Sequence, residues 1–70
     1  MNRQHVSSSN IHSIGYDLNS QTLEIEFHSG GIYQYFNVPE STYNALMSAS
    51  SHGSFFSRQI KGRYRYRQIR

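Results

Sequence analysis

The chain has no cysteine and no tryptophan, a single proline, and no acidic residue after Glu40. Without cysteine, neither a disulfide nor a thiolate-bound metal can reinforce the fold, and the absence suits a reducing compartment. No apolar run approaches the ~18 residues of a membrane-spanning helix. The opening MNRQHVSSSN lacks the apolar core of a signal peptide, so a cytoplasmic location is expected. A chain of 70 residues buries roughly 60% of its unfolded surface, which leaves a thin core and little room for a deep catalytic pocket.

The charge that is present is unevenly placed. Asp17, Glu24, Glu26 and Glu40 all lie before residue 41, whereas Arg58, Lys61, Arg63, Arg65, Arg67 and Arg70 gather at the end and only Arg3 lies early. An acidic body with a basic end favours a polyanionic partner, although basic tails also serve solubility alone.

Residues 1–9 are polar and serine-rich and read as a flexible arm, leaving 10–70 as one domain. NIHSIGY, from Asn10 to Tyr16, suggests a first strand. Ile11 is out of phase with Ile14 and Tyr16, which a bulge or a late strand start would explain. TLEIEFH, from Thr22, alternates Leu23, Ile25 and Phe27 with Glu24, Glu26 and His28, the pattern of a half-buried strand with one wet face. Ser29-Gly30-Gly31 then turns the chain into a third strand, IYQYFNV. A two-residue turn would set Phe27 opposite Ile32 and would put Tyr33 and Tyr35 on the face of Glu26 and Glu24. A three-residue turn would exchange the faces, and the first register is expected because it sets aliphatic side chains against aromatic ones. Pro39 suits the start of a helix whose apolar stripe is Tyr43, Leu46 and Met47. A second short helix is expected over Ser54 to Ile60, with Gly62 as a left-handed cap. The final segment, Arg63 to Ile69, has period two over RYRYR and reads as a closing strand. The expected fold is therefore α+β, in the order β-β-β-α-α-β, with an antiparallel sheet of three or four strands and two short helices packed on one face.

Catalytic patterns are weak. His5, His12, His28 and His52 show no i, i+4 ligand spacing, no serine sits in a nucleophile elbow, and Gly30-Gly31 lacks the phosphate-loop pattern. Neither catalysis nor a metal or other cofactor is expected. Tyr33-Gln34-Tyr35 and Tyr64-Arg65-Tyr66 each place two rings about 7 Å apart on one strand face, as base-stacking platforms do. Tyrosines are also plain strand formers whose rings cover a sheet. In the expected register Glu24 and Glu26 repel phosphate beside Tyr33 and Tyr35, so Tyr64 and Tyr66 are the stronger stacking candidates. The guanidinium forks of Arg63, Arg65 and Arg67 suit phosphate, although charges on an edge strand also block sheet-to-sheet association.

Taken in order, SSNIHSIGYD, LEIEFHSGGIYQYFNVP and SRQIKGRYRY resemble the KTSC domain. That family is named for its occurrence at the C-terminus of some lysyl-tRNA synthetases, and it is also found as small stand-alone bacterial and phage proteins. The matching blocks are Ile14-Gly15-Tyr16-Asp17, Gly31-x-Tyr33-x-Tyr35, Val38-Pro39, Ser51-x-Gly53 and the ending from Ile60-Lys61 to Tyr64. The family has no settled activity, and the resemblance implies at most an RNA-binding accessory, by analogy. The function expected is thus a non-catalytic nucleic-acid-binding module, for RNA rather than DNA. Arg58, Lys61, Arg63, Arg65, Arg67 and Arg70 would meet phosphates, and Tyr64, Tyr66, Tyr33 and Tyr35 would stack on bases. The alternative is a protein-interaction or homo-oligomerisation module, with the tyrosines as anchors and the arginines as rim.

Overall fold

The chain runs β1 (Arg3–His5), β2 (Ile11–Asp17), β3 (Thr22–Phe27), β4 (Ile32–Tyr35), α1 (Glu40–Ser48), α2 (His52–Gln59) and β5 (Tyr66–Gln68) in the computed structural model, which describes all 70 residues. All neighbouring strands are antiparallel, and they form one five-stranded sheet in the order β1-β2-β3-β4-β5. The architecture is the expected α+β arrangement with one strand more. The additional strand is Arg3–His5, from within the segment read as a loose arm, and it pairs with β2 from Ser13 to Gly15.

The β3–β4 hairpin corrects the expected register. Phe27 N–H donates to the Gly31 carbonyl at 2.9 Å and Gly30 N–H donates to the Phe27 carbonyl at 2.9 Å, so the loop is His28-Ser29-Gly30. Gly30 takes φ 102°, a conformation open to glycine and strained for other residues. The odd loop length sets Leu23 opposite Tyr35 and Ile25 opposite Tyr33. Tyr33 and Tyr35 therefore share the face of Leu23 and Ile25, not that of Glu24 and Glu26. The preference for matching aliphatic with aromatic residues gave way to the turn geometry.

In β2 the irregular phase has the physical cause expected of it. The register shifts between Ile11 and Ser13, leaving His12 as the extra residue of a bulge. Ile11 then faces the same side as Ile14 and Tyr16, and both isoleucines are buried. On this face Ile11, Ile14, Leu23, Ile25 and Tyr35 meet Val38, Leu46, Phe56 and Ile60 in one core. Fully burying an aliphatic side chain such as Leu46 or Ile60 stabilises by about 1.5–3 kcal/mol.

Both helices cover this face. Leu46 is the buried residue of α1, and the ring of Tyr43 stacks on that of Tyr16 at 4.7 Å. α2 begins two residues before the expected Ser54, because Ser51 caps it: its hydroxyl accepts from Ser54 N–H. The two helices are tied where His52 Nδ1 donates to the Leu46 carbonyl at 2.9 Å. Gly62 has φ 79° just beyond α2, as a left-handed cap requires.

The opposite face of β3 is drier than its alternating pattern suggested. Glu24 is only 5% exposed. Its carboxylate is ion-paired with Arg3 and accepts from Gln34 Nε2 at 2.8 Å. Glu26 accepts from Ser13 Oγ at 2.9 Å and pairs with Arg70 at 3.0 Å and Arg3 at 3.5 Å. The Ser13 hydrogen bond, followed by the positive fields of His12, Arg3 and Arg70, holds the Glu26 carboxyl below its usual range against the opposing effect of desolvation. Buried carboxylates are tolerated only with such partners. Arg3 reaches them because Gly15 lets β1 lie close: a Cβ there would stand 2.6 Å from the Asn2 carbonyl oxygen.

Two outcomes follow. Gly15→Ala should displace β1, lower stability by about 1–3 kcal/mol in urea denaturation, and strip hydrogen-exchange protection from the β1 amides. An alanine variant as stable and protected as the parent would contradict that packing. In the core, burial first and then the neighbouring phenols of Tyr33 and Tyr66 push the Tyr35 hydroxyl from 10.0 to about 12. Burial also raises Tyr16, helped by Glu40 and Asp17. A hydroxyl that keeps its proton longer when folded contributes stability that is complete below pH 10.0 and lost as the pH climbs to about 12. The urea midpoint should fall across that window, and less steeply in Tyr35→Phe.

Candidate nucleic-acid interface

The β4–β5 pairing brings rings together from two distant parts of the chain. Tyr66 lies directly opposite Tyr35. The ring centroids of Tyr33, Tyr35 and Tyr66 form a triangle with sides of 6.5, 5.7 and 5.9 Å. Phe27 and Phe56 stand behind them: Phe27 is 5.6 Å from Tyr33, and Phe56 is 5.4 Å from Tyr35. The three tyrosines are graded in exposure. Tyr35 is buried, Tyr33 is half-buried, and Tyr66 is 62% exposed. Together they wall an open groove of about 400 Å³ between the sheet and α2, with Lys61 and Ser57 on the helix side.

A second cavity, of about 340 Å³, adjoins this groove. No hydrophobic side chain lines it, and its walls include Ser9, Ser54 and Arg58. Asn10 and Ser57 line both cavities. Neither Asn10 nor Ser57 stood out in the sequence. The available signal for Asn10 was Gly53, a glycine in the first turn of a helix, where it costs stability unless something must approach closely. A Cβ on Gly53 would lie 2.5 Å from Asn10 Oδ1. The Ser51-x-Gly53 block thus caps α2 and makes room for Asn10.

Of the remaining candidates, Arg63, Tyr64 and Arg65 line, with Gly62 and Tyr66, a further open cavity of about 520 Å³. Tyr64 precedes β5 and packs partly buried against the core, outside the tyrosine triangle. Arg63 Nε donates to the Arg58 carbonyl at 3.2 Å. Arg67 lies opposite Gln34, on the side of β5 away from Tyr66, whereas Arg65 precedes β5, its carbonyl accepting from Phe36 N–H at 2.9 Å, so the closing strand expected from Arg63 begins only at Tyr66. Arg70 is engaged with Glu26 and donates from Nε to the Gly30 carbonyl at 3.4 Å. Arg58 and Lys61 alone among the C-terminal cations line the tyrosine groove and the cavity that adjoins it. Three histidines also converge, which their spacing did not announce. The Nε2 atoms of His5 and His12 are 2.8 Å apart, His12 lies edge-on to His28, and His28 Nε2 donates to the Ser8 carbonyl. No group of three or more His, Cys, Asp or Glu side chains is arranged to hold a metal ion. No helix is long and apolar enough to cross a membrane.

Comparison with known proteins agrees with this architecture. The crystal structure of a KTSC domain protein from Yersinia pestis superposes with a TM-score of 0.96 at 51% identity, covering 99% of this chain and 97% of that one. An uncharacterized protein of Stutzerimonas stutzeri is 43% identical over 70 residues, 99% of both chains. The lysine–tRNA ligase of Nostoc punctiforme is 43% identical over 59 residues, which are 84% of this chain and 10% of the ligase. The chain therefore spans about a tenth of the length of the ligases it matches. The KTSC domain model itself matches residues 7–64, from the polar stretch before β2 to Tyr64, and the chain belongs to the KTSC domain family.

Proposed function

We propose that this KTSC domain is a non-catalytic module that binds single-stranded nucleic acid, RNA rather than DNA, through the tyrosine groove. The observation that carries the reading is the convergence of Tyr33, Tyr35 and Tyr66 beside Lys61, with no acidic side chain in the groove wall. Aromatic faces in a cationic surround are what single-stranded nucleic acid needs. Bases stack on the rings whatever their identity, and cations neutralise the backbone. The graded exposure supports one stacking surface at Tyr66, with Tyr33 and Tyr35 as its floor. Similarity to segments of lysine–tRNA ligases supports RNA as the polymer, by analogy.

A second reading rests on β5, whose three residues are all exposed and whose outer edge is unpaired. Such an edge can accept a strand from a partner or from a second copy. On that reading Tyr66 anchors a protein interface.

Fluorescence anisotropy with a labelled oligouridylate of about ten nucleotides separates the two. Two to four phosphate contacts should lower affinity about sevenfold to fiftyfold between 50 and 200 mM salt, from the single-strand slope. Tyr66→Ala should cost one stacked base, about 1–3 kcal/mol, without changing the melting temperature appreciably. Absence of binding at 50 mM salt, together with a dimeric mass by light scattering that Tyr66→Ala abolishes, would replace this reading with the protein-interface one.

A further inference from the structure

We infer that the bound strand runs along the outer face of α2, from the tyrosine groove into the adjoining cavity, rather than along Arg65 and Arg67. This path rests on the nucleic-acid reading above and specifies how that site is used. The two cavities share Asn10 and Ser57 as lining residues; five aromatic side chains line one, and no hydrophobic side chain lines the other. A nucleotide divides in the same way into an apolar ring and an anionic backbone, and the walls match those halves in order.

The residues that line this path from α2 onward are Ser54, Ser57, Arg58 and Lys61. Ser54, Ser57 and Arg58 follow the spacing i, i+3, i+4 and form one outward stripe of α2, which Lys61 extends into the turn beyond Gln59, while Phe56 and Ile60 are buried in the core. The stripe carries two cations and no acid, and neither Arg58 nor Lys61 has an ion-pair partner. Ser54 to Arg58 spans about 6 Å along the α2 axis at the helical rise, and Lys61 lies in the turn that follows.

Arg67 and Arg70 are placed for a different task. A base stacked on Tyr66 lies on the helix side of the sheet, and its own phosphates must lie within a nucleotide's reach on that side. Arg67 stands opposite Gln34 on the other side, the side of Glu24 and Glu26 on β3. Arg70 is held by Glu26 and the Gly30 carbonyl. Cations on the far side of an edge strand act as guards against further strand pairing.

The test compares charge changes on the two surfaces, with the same labelled oligouridylate at 50 mM salt. Ser57→Asp places an anion at the junction of the cavities on an exposed helical position, and it should weaken binding about tenfold or more. Arg58→Ala should weaken binding and reduce the slope of log affinity against log salt by about 0.7–1. The double variant Arg65→Ala, Arg67→Ala should bind within about twofold of the parent. Melting curves of all three variants establish that they are folded. Should the double variant lose affinity while folded Ser57→Asp and Arg58→Ala retain it, the strand runs along Arg65 and Arg67 and this path is wrong although nucleic acid is bound. If the parent chain itself fails to bind at 50 mM salt, the nucleic-acid reading falls and the path falls with it.

Discussion

The register between β3 and β4 is the constraint on which the rest of the molecule depends. Side chains alternate across a strand, so a slip of one residue would exchange every contact on both faces. Three loop residues and the positive φ of Gly30 place Tyr33 and Tyr35 over the core with Leu23 and Ile25. The same register turns Glu24 and Gln34 together to the other face, where they bond to each other. Without it there would be no tyrosine groove, and Glu24 would lose one of its two partners.

That second face accounts for the use of both chain ends. Glu24 and Glu26 occupy the central strand, and a carboxylate shielded from water needs compensation. Arg3 supplies it from one edge of the sheet and Arg70 from beyond the other. A surface ion pair alone contributes little, but Glu24 is buried, and removing a partner from a buried charge is costly. In a domain with so thin a core, Arg3 adds side-chain packing as well as charge to the back of the sheet. Gly15 makes the arrangement possible by letting β1 approach.

Much of the fold was legible because its signals are local. The strand of Leu23, Ile25 and Phe27, the helix after Pro39, the cap at Gly62 and the bulge before Ile14 each follow from a few adjacent residues. β1 was not legible, because RQH has no apolar alternation of its own and is a strand only through its pairing to β2. α2 began early because the Ser51 hydroxyl caps it, a choice that competing serines at 48, 50 and 54 obscured. Of the candidate site, Tyr33, Tyr35, Tyr66, Lys61 and Arg58 could be named from composition and spacing, but not the separation of Tyr64 from the other rings. Asn10 and Ser57 carried no signature that distinguishes them from ordinary polar surface.

By itself the sequence determined the kinds of elements, their order, the basic end and the family, since periodicity, turn residues and ordered motifs are properties of neighbouring residues. Only the tertiary structure decided which face each ring and charge occupies. A loop of two residues and a loop of three look nearly alike in sequence yet invert a strand. The fates of the arginines were likewise decided at long range: Arg70 is taken up by Glu26, 44 residues away, whereas Arg58 and Lys61 remain beside the groove. Whether a cation is free or already paired depends on what the fold brings to it, and neighbouring residues do not encode that.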